Sequence, residues 1–476
     1  MSVAKKIFGN ASWLVISQVI ITFCTFIWTI LIARYLGVEE YGIYGFAISL
    51  TGILLIVADF GINTHIVREV ATDNGIASKY LGNAIPLKSI FAAATFLLTA
   101  AILFLMGCDE ITITVTLLFA VQMVVLSFIN LYKGAFQAFE EVKYQGIAES
   151  LWHVILLVFI IISIYSDLGI FSIVISYIIS NVIALAYLHH TLNRNIVRPK
   201  YELDREFSRK IIIASMPFAI TGILYCAYYY IDIIMLEHLV GSYAAGIYNA
   251  AYKLIPVQNI LVSIYGAIFF PVMSKFFKNQ DGMLMFVYEK SIKCLLMLVI
   301  PLSVLIVIYS PDLIGIIYGA EYESASTVLA ILIWNLSLLF ILAPGTNLLN
   351  SSHKEVAVNV IYLVGGVFNV IVNLILIPRF SYYGAAVSTI LSYALIMVIQ
   401  RIVIYRLGHS FNGRFHIDIL KIIVGSLILG VIFHFFTLNI WIALPVAMII
   451  YFPLINLLHA FDSDDVHIIK EILGRR

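Results

Sequence analysis

Five ionisable residues sit inside, or at the edge of, stretches that are otherwise apolar: Asp59, Arg68, Glu149, Asp232 and Lys253. Charge at such positions is expensive, and it tends to line cavities, relay protons or pair internally. Asp59, in Ala58-Asp59-Phe60-Gly61, either pairs with Arg68 at the inner end of its segment or takes part in ion coupling. Glu149 has His153 one turn later on the same helical face, which suits it to bind and release a proton. Asp232 and Lys253 approach similar depths from the two arms of a hairpin. They either close that hairpin as an ion pair, or Lys253 faces a cavity and attracts an anion.

Neutral polar residues, including Gln18, Asn63, Asn130, Asn181, Asn249, Asn369 and Asn373, extend the polar interior and suit interhelical hydrogen bonding. Tyr225, Tyr228, Tyr229 and Tyr230 could stack on sugar rings or form an interfacial aromatic belt. Nucleotide or metal chemistry has no foothold: there is no Walker A motif, no GxGxxG and no HExxH. Cys24, Cys108, Cys226 and Cys294 form no disulfide framework and no CxxC ligand pair. We therefore expect no cofactor, no metal and no enzyme activity.

The elements that must hold these residues span a membrane. Fourteen apolar segments fill the chain from residue 11 to residue 459, and about 20 such residues cross a bilayer. The chain is 62% hydrophobic and 12% charged, against about 25% charged in soluble domains. The sequence thus predicts an all-α polytopic membrane protein with 14 transmembrane helices. All but three of the 28 basic residues fall on one side; Arg34 and Arg379 lie opposite, and Lys253 lies within a span. The positive side faces the cytoplasm, so both termini are expected inside. Residues 1–10 read as a short basic stretch along the inner surface rather than a cleavable signal. A net charge of +1 gives no reason to expect nucleic acid.

External loops are little more than turns at 37–40, 107–110, 167, 237–242, 379 and 438–439, and the longest is 311–323. A membrane-embedded glycosyltransferase or polymerase would need a larger catalytic loop. The linker 191–210 mixes both signs of charge and reads as solvated.

A weak duplication divides the chain. Gly42-Ile43-Tyr44 with Ala47 recurs as Gly246-Ile247-Tyr248 with Ala251, each opening the second helix of a hairpin. Ser176-Tyr177 has a counterpart in Ser392-Tyr393. Two parallel six-helix lobes follow, 1–190 and 211–405, joined by the linker 191–210. Residues 406–476 then carry helices 13 and 14 and a cytoplasmic tail. Parallel-repeat transporters bind substrate between their halves and rock them in alternation.

The run Ala33-Arg34-Tyr35-Leu36-Gly37-Val38-Glu39-Glu40-Tyr41-Gly42-Ile43-Tyr44 resembles the N-terminal signature of polysaccharide biosynthesis flippases, with Val38 in place of the usual proline. Asp59-Phe60-Gly61 with Arg68-Glu69, and Ala245-Gly246-Ile247-Tyr248-Asn249-Ala250-Ala251-Tyr252-Lys253, are similar to later motifs of that family. The resemblance is to the Wzx-type O-antigen repeat-unit flippases of the multidrug/oligosaccharidyl-lipid/polysaccharide exporter superfamily. It implies transfer of undecaprenyl-pyrophosphate-linked oligosaccharide, with a polysaccharide polymerase and a chain-length regulator as partners. A pyrophosphate needs cationic and polar contacts, for which Lys253, Arg34, Arg68, Arg379 and Asn249 are the candidates. Glu149, Asp59 and Asp232 are the candidates for ion coupling or gating. A cation-coupled multidrug exporter of the same superfamily is the alternative. Such exporters as a rule have twelve helices and acidic cavities.

Overall fold

The computed structural model describes residues 3–202, 204–255, 265–266, 269–270, 273–275, 283–436 and 438–461. These residues are α-helical apart from short 3-10 turns and loops. In chain order the helices are α1 (Val3–Asp59), α2 (Ile62–Thr72), α3 (Ala77–Met106), α4 (Glu110–Ala138), α5 (Val142–Tyr165), α6 (Gly169–Asn195) and α7 (Arg205–Leu239). They continue as α8 (Ser242–Tyr252), α9 (Met283–Ile317), α10 (Ser324–Leu332), α11 (Trp334–Ser351), α12 (Glu355–Arg406), α13 (Gly413–Phe435) and α14 (Ile440–Leu457).

Ten apolar helical stretches among the described residues are long enough to cross a membrane. Two of them are double. The 57 residues of α1 would reach about 86 Å at 1.5 Å per residue, nearly three hydrocarbon thicknesses. The helix breaks at Gly37, whose φ of 70° suits a residue without a Cβ. The 52 residues of α12 break likewise at Ser381, φ 52°. Each is therefore two helices joined at a break. Of the expected fourteen spans, the one at 243–274 lies in part outside the described residues, as do the side chains of Tyr225 and Tyr228.

The chain divides into two compact units, Met1–Gly246 and Ile247–Arg476. In the first, α1 packs on α5, α7 and α4, and α6 packs on α4 and α5. In the second, α9 packs on α13 and α11, and α11 packs on α12. Helix α7, which the repeat assigns to the later lobe, thus packs on α1 and α2 of the first unit.

The linker differs from the solvated segment expected. Its charged side chains are exposed, but its backbone is laid along α3: Lys200 N donates to Ser78 O (3.3 Å), Glu202 N to Gly82 O (3.3 Å), and Asp204 N to Asn83 Oδ1 (2.8 Å). A Cβ on Gly82 would stand 1.7 Å from Lys200 O. Glycine is what lets the chain lie this close.

Candidate functional site

The interior of the first unit holds two ion pairs amid apolar helices. Lys88, fully buried on α3, pairs with Asp59 and also donates to Asn63 Oδ1 (2.9 Å) and Ser127 O (2.6 Å). Asn63 in turn donates to the second oxygen of Asp59 (2.6 Å). Asp59 does not pair with Arg68. That guanidinium is exposed, bonded to Glu69 (3.0 Å) and placed over the Phe218 ring. The apparent nearness of Arg68 is along the chain. Lys88 reaches Asp59 across the helix packing.

The second pair joins Lys133 of α4 to Glu149 of α5. Gln145 donates to Glu149 (3.4 Å) and accepts from Gln137 (3.0 Å), so a chain of amides leads to the carboxylate. His153 bonds the backbone oxygen of Glu149 (2.7 Å) and stacks on Trp28, so the two side chains are not directly linked. Lys133 lines two cavities. One, of about 300 Å³, lies between α2, α4 and α5 and includes Asn63, Asn130, Gln137 and Gln145. The other, of about 270 Å³, includes Gln18, Glu149, Trp152, His153 and Asn181.

In the second unit Asn249 is wholly buried, and neither its side-chain oxygen nor its nitrogen has a partner among the described residues. Lys253 is half-buried one turn later, its backbone N–H closing the helix on Asn249 O (2.9 Å). Tyr248 OH bonds Thr389 (3.2 Å), and Asn373 donates to Asn369 (3.1 Å). Lys293 and Asp418 pair at 2.9 Å, both nearly inaccessible, and tie α13 to α9. Beside them lies an apolar cavity of about 500 Å³ lined by Leu296, Ile341, Phe411, Phe415 and Ile423, with Arg401 at its edge over the Phe411 ring (3.7 Å).

Of the remaining candidates, Asp232 is buried on α7, while Arg34 and Arg379 are exposed at the two helix breaks. Sequence reading missed Lys88, Lys133, Lys293 and Asp418 as interior groups. Lys88 and Lys293 stand well inside their helices, but their sequence neighbours do not show which way those helices turn them.

Residues 7–277 match the family described as polysaccharide biosynthesis protein. The chain belongs to that family. This agrees with the resemblance carried by residues 33–44. Among curated relatives of this polysaccharide biosynthesis protein, it is 25% identical to the probable low-salt glycan biosynthesis flippase Agl15 of Haloferax volcanii, over 77% of each chain. It is 23% identical to the capsular polysaccharide biosynthesis protein CapF of Staphylococcus aureus, over 80% of this chain and 95% of that one. Among solved structures, the lipid II flippase MurJ in an inward closed conformation aligns with a TM-score of 0.78 at 15% identity, covering 97% of this chain and 99% of that one. An inward-facing multidrug MATE transporter aligns with 0.66 at 13%, covering 82% and 96%. At these identities the likeness establishes the fold: an all-helical multi-pass transporter fold.

Proposed function

We propose that this chain moves an undecaprenyl-pyrophosphate-linked oligosaccharide from the cytoplasmic to the outer leaflet, by alternating access between lobes 1–190 and 211–405. Its membrane is the plasma membrane, with both termini cytoplasmic, and its neighbours in the pathway are a polymerase and a chain-length regulator. The relatives named for glycan flipping and capsule synthesis support this reading. The observation that carries it is the amide-lined cavity at Lys133, beside the Lys133–Glu149 pair, a cluster of charge and amides in an otherwise apolar bundle of the kind that marks function in a membrane protein.

In this reading Lys253, with Asn249, is the intramembrane anion contact. Arg68 collects anions on the inner approach, and Arg34 and Arg379 do so on the outer. Glu149, Asp59 and Asp232 gate or couple the cycle through ion pairs. The apolar cavity of the second unit suits a polyprenyl chain, since it offers hydrocarbon contact with one guanidinium beside it. The deciding experiment is leaflet-resolved translocation of a labelled lipid-linked oligosaccharide in proteoliposomes. The expected result is label crossing only in vesicles that contain the protein. Crossing at the rate of protein-free vesicles would end the proposal.

A further inference from the structure

The cleft between α2, α4 and α5 has an unusual wall. Four carboxamides, Asn63, Asn130, Gln137 and Gln145, face it together with Lys133. A carboxamide both donates and accepts hydrogen bonds. Asn63 spends both ends of its amide on Asp59 and Lys88, while Asn130, Gln137 and Gln145 keep donor or acceptor capacity that matches hydroxyl groups, which also do both. A surface meant for an anion would carry donors and unpaired cations, and one meant for a lipid tail would carry neither.

The charge balance sharpens this. Lys133 is paired with Glu149, and the amide chain Gln137 to Gln145 to Glu149 fixes that carboxylate further. An anionic ligand would have to break the pair or sit beside a carboxylate. An uncharged, hydroxyl-rich ligand leaves it intact.

The adjoining cavity, reached past the same Lys133, holds two orphaned polar atoms. Asn181 Oδ1 and Trp152 Nε1 are buried with no partner among the described residues. Buried polar atoms in native proteins are almost always satisfied. Both atoms are closed off from the cavity space, so a group bound there would reach them only after a side-chain rotation.

From these facts we infer that the amide-lined cleft of the first unit is a saccharide subsite, selective for an uncharged sugar residue over a uronate. The inference rests on the glycan reading above and deepens it. It assigns part of the glycan to the first unit, and it assigns the sugar's charge.

The test reads binding without transport. Saturation-transfer difference NMR is run on the full chain in lipid nanodiscs with the methyl glycosides of a hexose, an N-acetylhexosamine and a hexuronic acid. At least one neutral glycoside should show ring-proton signal, and the hexuronide should show about fivefold less or lower still. Gln137→Ala/Gln145→Ala and, separately, Asn130→Ala should each lower the neutral signal by about fivefold. Inorganic pyrophosphate should not displace it. The inference is overturned by silence from all three glycosides, by equal or stronger hexuronide binding, by displacement with pyrophosphate, or by variants that keep the wild-type signal. Because no translocation is measured, failure of the flippase reading would show in the vesicle assay and leave this result standing.

Discussion

Gly42 and Gly246 meet face to face, each occupying the space that the other's helix leaves open. A Cβ on Gly42 would stand 1.8 Å from Ser242 O, and one on Gly246 would stand 2.0 Å from Val38 O. The contact is reciprocal, because residue 38 corresponds to 242 as residue 42 does to 246 in the Gly-Ile-Tyr duplication. The glycines of the two copies of the motif thus touch inside the first unit. Within each unit its tyrosine is anchored separately, Tyr44 to Tyr177 (2.7 Å) and Tyr248 to Thr389 (3.2 Å).

Substitution at this crossing should be severe. Gly42→Ala or Gly246→Ala forces two backbones apart, and overpacking of this kind costs about 1–3 kcal/mol. Gly315→Ala on α9, where a Cβ meets nothing within 4 Å, is the matched control. Thermal unfolding in nanodiscs should show a lowered midpoint for the first two and none for the third. Equal midpoints for all three would show that the crossing relaxes freely.

The pair Asp59–Lys88 predicts a non-additive cycle. Lys88→Met leaves a carboxylate in the bundle without its cation, which costs about 3–5 kcal/mol. Replacing both partners, in Lys88→Met/Asp59→Leu, removes the charge altogether and should recover most of that loss. Stability of the two single variants and the double variant checks this. Strictly additive losses would mean that the two side chains act independently.

The helices were legible because long apolar runs need no tertiary information. The interior cations were less so. Lys88, Lys133 and Lys293 lie toward the basic side of the chain and read there as topology markers, but whether a lysine points to water or into the bundle depends on helix rotation. Spans apolar on nearly every side carry little trace of that rotation. Glu149 was legible as an isolated acid. Its partner Lys133 belongs to another helix, and only packing joins them. The docking of 198–202 and Asp204 on α3 was hidden for a different reason. It is made largely by backbone atoms, to which the exposed charges of the linker give no clue.

Lys253 gives a transport prediction. Lys253, half-buried as a residue, follows an amide, Asn249, whose side chain has no partner among the described residues. An anionic head group seated there would be attracted far more strongly than in water. Lys253→Ala should lower the initial rate of lipid-linked oligosaccharide translocation by about tenfold, the equivalent of ~1.4 kcal/mol. Lys253→Arg should retain most of it. A folded Lys253→Ala protein that transports at the wild-type rate would remove this lysine from the path.

Glu237, at the outer end of α7, gives a pH prediction. Burial pushes its carboxyl above the ordinary value, the neighbouring carboxylates Asp109 and Glu39 push in the same direction, and the hydrogen bond from the Ser242 hydroxyl (2.6 Å) opposes them. A raised folded value means that the folded protein holds this proton more tightly than the unfolded chain. Its contribution is therefore complete below the unfolded value of about 4.3 and is lost as pH rises through the raised folded value. The unfolding midpoint of the wild type should fall relative to Glu237→Gln across that window, because glutamine keeps the neutral shape and has no proton to lose. A difference between the two proteins that stays constant from acid to neutral pH would show that Glu237 titrates alike in both states.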